Sequence, residues 1–121
     1  HRLIRRQRQM CIRDSNCPVE ATISLIGGKY KSVILFHLMG KTLRYSELHK
    51  KIPKATDKML AQQLRELEKD GLIKRTVYPV VPPKTEYNLT EFGESLSPIL
   101  NAMCNWGESY LNIPSQCVEE S

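Results

Sequence analysis

The stretch TDKMLAQQLRELEKDGLIKRTVYPVVPPKTEYNLT, Thr56 to Thr90, decides how this chain folds. Its first half has helical spacing. Leu60, Leu64 and Leu67 recur at i, i+4 and i+7, with Met59 beside them. Thr56 suits the N-cap, where a hydroxyl accepts one of the N–H groups a helix start leaves unpaired. Lys58, Gln62 and Arg65 fall on the opposite edge, with Gln63 beside them. Asp70-Gly71 stops the helix, because glycine accepts the left-handed conformation that follows a last turn. From Leu72 the period changes to two. Lys74, Thr76 and Tyr78 share one strand face, and Ile73, Arg75 and Val77 share the other. Pro79, Pro82 and Pro83 confine a loop, and Lys84 to Leu89 returns with Thr85, Tyr87 and Leu89 alternating. A polar-faced helix over Asp57 to Lys69 thus runs straight into a basic hairpin.

Upstream, Cys17-Pro18-Val19 starts a helix, since proline fits the first turn without losing a hydrogen bond. Val19, Ile23 and Ile26 lie along it, and Gly27-Gly28 ends it. A second helix follows from Lys29, with Tyr30, Val33, Ile34, His37 and Leu38 expected on one inward stripe and Gly40 as its close. His37 is read as a core histidine. Thr42-Leu43-Arg44 suggests a very short strand. Ser46 to Lys51 makes a short helix with Leu48 and Ile52 inward, and Pro53 ends it. His49 is expected to face solvent or phosphate. Downstream, Thr90 caps a last helix reaching about Leu111, kinked near Glu94 by Pro98. Phe92, Leu96, Ile99, Leu100, Met103 and Tyr110 give it a long apolar stripe, with Trp106 close by. That is more apolar surface than a small core covers, and a dimer interface buries the surplus.

The fold class is therefore mainly α with a small antiparallel β-wing. The third and fourth helices, joined by Pro53-Lys54-Ala55, form a helix-turn-helix with the hairpin as its wing. Such a helix pair offers the start and outer edge of its second helix to a major groove. Here those residues are Thr56, Lys58, Met59, Gln62, Gln63 and Arg65. Glutamine can pair bidentately with adenine and arginine with guanine. Arg75 and Lys84 on the wing are suited to phosphate. Helix and wing must be held at a fixed angle to touch two adjacent features of one duplex.

Charge agrees with this division. Residues 29–84 carry thirteen Lys and Arg against five Asp and Glu, whereas residues 85–121 carry six Glu and no Lys or Arg. A basic middle beside an acidic end suggests a polyanion-binding face and a second face with another task. The chain has 121 residues, the size of one domain. The opening HRLIRRQRQMCIRDS, with five Arg and no initiating Met, is set aside as a non-native segment, with a disordered basic arm as the alternative. Residues 16–112 form the domain and 113–121 a tail. The apolar runs are too short to span a bilayer, so the reading is cytoplasmic, with no membrane partner. Cys11, Cys17, Cys104 and Cys117 show no CxxC spacing and do not group with the histidines. Neither a metal site nor a disulfide framework is expected, and no cofactor. Cys17 with His37 or His49 has no orienting third group or oxyanion loop, so an enzyme is not expected.

The segments CPVEATISLIGGKYKSVILFHL, LRYSELHKKIPKATDKMLAQQLRELEKDGLIKRTVYPVVPPKTEYNLTEFGESL and NWGESYL together resemble the HxlR-type winged-helix transcriptional regulators over about residues 16–112. The most specific parts are Met59 to Glu68 with Asp70-Gly71-Leu72, and Tyr78-Pro79 with Val81-Pro82-Pro83 and Glu86-Tyr87. Tyr30 departs from the tryptophan common there. The resemblance implies a homodimer joined through the first and last helices, binding double-stranded DNA at a pseudo-palindromic operator, usually as a repressor. It also implies a redox or electrophile sensor at Cys17, with Cys104 or Cys117 of the partner subunit as the resolving thiol. A helix N-terminus is a setting that favours a thiolate. The alternative is a winged helix used only for protein contacts.

Overall fold

The computed structural model describes residues 17–113. The expectations for residues 1–15, for Cys117 and for the tail beyond Ile113 lie outside them. In chain order the elements are α1 (Pro18–Ile26), α2 (Lys31–Leu38), β1 (Leu43–Arg44), α3 (Tyr45–Lys51), α4 (Asp57–Lys69), β2 (Ile73–Tyr78), β3 (Lys84–Leu89), α5 (Glu91–Glu94) and α6 (Ser97–Leu111).

Helix α4 begins and ends by local chemistry. The Thr56 hydroxyl accepts the Met59 N–H at 3.1 Å. At the other end Gly71 takes φ +81°, the left-handed region. Leu72 N–H then reaches Leu67 O, and Gly71 N–H reaches Glu68 O, both at 3.0 Å. These two bonds are a Schellman closure. They turn the chain directly into β2.

The sheet is antiparallel in the order β1-β3-β2. Ile73 pairs with Leu89, Arg75 with Tyr87 and Tyr78 with Lys84. Leu43 pairs with Tyr87 on the other side. Only the root of the hairpin is packed. Ile73, Tyr87 and Leu89 are buried, while Lys74, Arg75, Val77 and Tyr78 are exposed. The strands therefore project as a wing, and the architecture is a winged helix-turn-helix.

Beneath the wing root lies one core. Ile34, Leu35 and Leu38 of α2 meet Leu48 of α3, Leu60, Leu64 and Leu67 of α4, and Leu72. All are almost fully buried. The expected α2 stripe is turned by part of a helical turn. Lys31, Ile34, Leu35 and Leu38 face inward, and Val33 is exposed. A lysine takes the inner edge because it meets a carboxylate there.

The last helix is two helices. Thr90 caps α5, its hydroxyl accepting Gly93 N–H at 3.1 Å and donating to Gly71 O at 2.6 Å. A side chain at Gly93 would collide with the Leu72 carbonyl, so α5 rests directly on that backbone. The helix stops at Ser95, and Pro98 stands in the first turn of α6. Proline here starts a new helix instead of bending a continuous one. Of the expected stripe, Leu96 and Leu100 are buried, while Ile99, Met103, Trp106 and Tyr110 are exposed.

Candidate nucleic-acid interface

Helices α3 and α4 meet through a polar clasp that the sequence did not announce. The Tyr45 hydroxyl donates to Asp57 Oδ1 at 3.0 Å. His49 Nδ1 lies 3.2 Å from the same oxygen, and His49 Nε2 lies 2.9 Å from Ala55 O. His49 therefore does not face solvent or phosphate as expected. Its ring spans the turn, with both nitrogens on oxygen atoms of the segment leading into α4. Burial, and then the hydrogen bond to Asp57, push the Tyr45 hydroxyl up to about 12. It stays a donor at any physiological pH. Asp57, a carboxylate at the start of α4, is held by two partners as well as by the favourable end of the helix dipole. The one available cue was a histidine, an alanine and an aspartate spread over nine residues, which carries no periodicity.

The outer edge of α4 presents Thr56, Lys58, Gln62 and Arg65 to solvent, with Met59 half-buried among them. Gln62 Nε2 donates to Glu66 Oε2 at 3.2 Å, one turn along. Gln63 departs from its expected place. It is 6% exposed, and its Oε1 accepts the Tyr30 N–H at 3.1 Å. It is a bridge to the loop before α2, and it cannot touch a duplex without breaking that bond. On the wing, Arg75 is exposed. Lys84 is half-buried, 3.9 Å from the Glu86 carboxylate and 5.0 Å from the centre of the Tyr78 ring. Its charge is thus shared within the wing. Among the described residues no ion pair engages Lys58, Arg65 or Arg75. Arg44, exposed at the start of α3, adds a cation that the sequence reading passed over. Its N–H is met by Glu47 Oε1 at 2.8 Å.

A second surface, apolar in character, is formed by α1 and α6. Val19 and Ile23 on α1 are 66% and 57% exposed, and Trp106 and Tyr110 on α6 are 69% and 74% exposed. The Trp106 and Tyr110 rings stack at 5.3 Å. A hollow lined by Val19, Ile23, Ile99 and Met103 joins the two helices. Cys17, half-buried, is the N-cap of α1 and stands as a thiol. Cys104, also half-buried, is disulfide-bonded. Cys104 is therefore not a waiting thiol. Among the described residues there is no group of three His, Cys, Asp or Glu side chains that could hold a metal. No described helix is long and apolar enough to cross a membrane.

The pattern of the HxlR-like helix-turn-helix family matches residues 25–115, which include both helices of the turn, the wing and α6. The chain belongs to that family. The HTH-type transcriptional regulator YdeP of Bacillus subtilis (strain 168) is 54% identical over 94 residues, 78% of this chain and 73% of YdeP. YtcD of the same organism is 56% identical over 97 residues, 80% of this chain and 77% of YtcD. The crystal structure of YtcD superposes with TM-score 0.74 at 54% identity, covering 79% of this chain and 98% of that one. The redox regulator HypR in its oxidized form gives TM-score 0.74 at 50% identity, over 77% of this chain and 96% of that one. Its reduced form gives 0.75 at 48%, over 79% and 95%. This HxlR-like chain is a DNA-binding transcriptional regulator of the helix-turn-helix type.

Proposed function

We propose that this HxlR-like regulator is a homodimeric, sequence-specific repressor that reads a pseudo-palindromic operator in the cytoplasm. The observation that carries the reading is the pairing of an exposed Lys58–Gln62–Arg65 edge with an exposed Arg75 on a wing rooted in the same core. Gln62 and Arg65 serve the base edges, while Thr56, Lys58 and Met59 line the helix entry. Arg75 and Lys84 serve phosphates. Two subunits join through α1 and α6, whose exposed apolar side chains would otherwise face water. Their α4 helices then enter successive major grooves about 34 Å apart.

Cys17 is proposed as a redox-sensing thiol that changes dimer geometry, with Cys117 of the partner subunit as the candidate resolving thiol. The likeness to HypR, named a redox regulator, supports this reading. Selection of bound sequences from random duplexes, with and without diamide, tests the whole. The expected result is a two-fold-symmetric site whose affinity falls with salt at a log–log slope of about −0.9 per phosphate neutralised. Arg65→Ala should cost more on that site than on random DNA, and Lys84→Ala about equally on both. Cys17→Ser should remove the diamide response. Failure to retain any duplex in dilute buffer rejects the reading.

A further inference from the structure

A polar junction sits where the α1–α2 loop meets the flank of α4. Lys31, in the first turn of α2, is 9% exposed. Its Nζ lies 2.8 Å from Glu66 Oε1 on α4. The other carboxylate oxygen, Oε2, receives the Gln62 amide at 3.2 Å. Beside this pair, Gln63 Oε1 accepts the Tyr30 N–H. A side chain at Gly28 would stand 2.6 Å from Gln63 Oε1 and 2.9 Å from Lys31 Cδ. A glycine there lets both side chains through. Gly28 and Tyr30 of the loop and Lys31 of α2 are thus committed to the helix that carries the exposed reading edge.

Stability alone does not account for a lysine in this place. Burying an ammonium costs desolvation, and an apolar side chain of similar volume often serves a core as well or better. What an ion pair with one buried end can contribute is one fixed arrangement. Here the arrangement ends on Gln62. A carboxylate only accepts hydrogen bonds, so the amide nitrogen, not the oxygen, must face Glu66. That spends one of the two amide hydrogens. It leaves one N–H and the carbonyl oxygen, which is the donor–acceptor pair that adenine N7 and N6 require. An exposed glutamine without such a tether would sample several rotamers and both amide orientations, and would lose that freedom on binding.

We propose that Lys31 is a positioning residue for sequence discrimination: through Glu66 it sets the amide orientation of Gln62, and so which base edge α4 selects. The hydrogen bonds from Lys31 and then Gln62 hold Glu66 below the usual carboxylate range, which keeps it an acceptor at neutral pH.

The inference rests on the DNA-reading role given above, and its test separates the two. Binding of Lys31→Met, Gln62→Ala and the double variant is measured on the selected site, on single-base variants of it and on random duplex. Methionine fills the buried path without the charge. Lys31→Met should keep the affinity and salt slope of the parent on random duplex. It should lose about tenfold in discrimination at the one base pair where Gln62→Ala also loses it, within the range of one bidentate contact. In the Gln62→Ala background Lys31→Met should have no further effect, because the coupling has lost its end point. Unchanged discrimination in Lys31→Met, or losses that add in the double variant, overturns the inference while leaving DNA reading intact. Should Lys31→Met not fold, Glu66→Gln on the half-exposed flank of α4 is read in the same way, and an unaltered base preference overturns the inference. A parent protein that selects no sequence overturns both readings.

Discussion

Helices α4 and α6 are of similar length and both amphipathic, yet they finish their surfaces in opposite ways. The apolar edge of α4, Leu60, Leu64 and Leu67, is covered completely by the chain itself, and its exposed edge is polar. In α6 only Leu100 is covered among its large apolar side chains, while Met103, Trp106 and Tyr110 stand in solvent. The first helix is complete within one subunit. The second leaves most of its apolar side chains uncovered by the described residues. The lesson is that a core this size covers the apolar edge of one helix and leaves that of another exposed.

The largest break in that contrast should come from Leu64→Ala. Removing a side chain that is 2% exposed should cost about 2–5 kcal/mol of unfolding free energy in urea. Next, Trp106→Ala should leave subunit stability within about 0.5 kcal/mol. It should nonetheless weaken self-association by about 2 kcal/mol or more, read by sedimentation across a dilution series. An equal effect of both substitutions on unfolding would erase the difference between the helices. Thr56→Ala should cost about 1 kcal/mol, because the Met59 N–H loses its cap while the Leu edge stays packed. A loss as large as that of Leu64→Ala would show that the start of α4 depends on more than its cap.

The smallest effect concerns His37. Burial first, and then the charges of Lys51 and Lys41, lower its pKa below the ordinary imidazole value. The unfolded chain therefore binds this proton more readily than the folded one. Stability should decline as pH falls through about 6.5 toward the lowered folded value, and level off below it. His37→Asn should flatten that part of the stability–pH curve; an identical slope in the variant would assign the dependence elsewhere.

How much of this was legible in the sequence follows from how local each cause is. The limits of α4 were legible because a threonine cap and an Asp-Gly stop act over a few residues. The wing was legible because alternation and proline placement are also local. Gln63 was misplaced because the helical spacing puts it at the border of the two edges. Its direction is decided by the Tyr30 N–H, 33 positions earlier in the chain. The same distance problem hid Lys31, which looks like a surface lysine until Glu66 is seen. The break before α6 was half legible. Pro98 announced an irregularity, but its position depends on α5 being seated on the Leu72 carbonyl and tied by Thr90 to Gly71. His49 and Cys104 were misread for a related reason: their partners are chosen by the folded chain and not by spacing.

The middle strand has one further mechanical effect. β3 bonds on one side to β2, the other half of the wing, and on the other side to β1, which leads without a linker into α3. The hairpin and the first helix of the turn hang from the same hinge post. The sheet therefore ties the wing to the first helix of the turn through one strand.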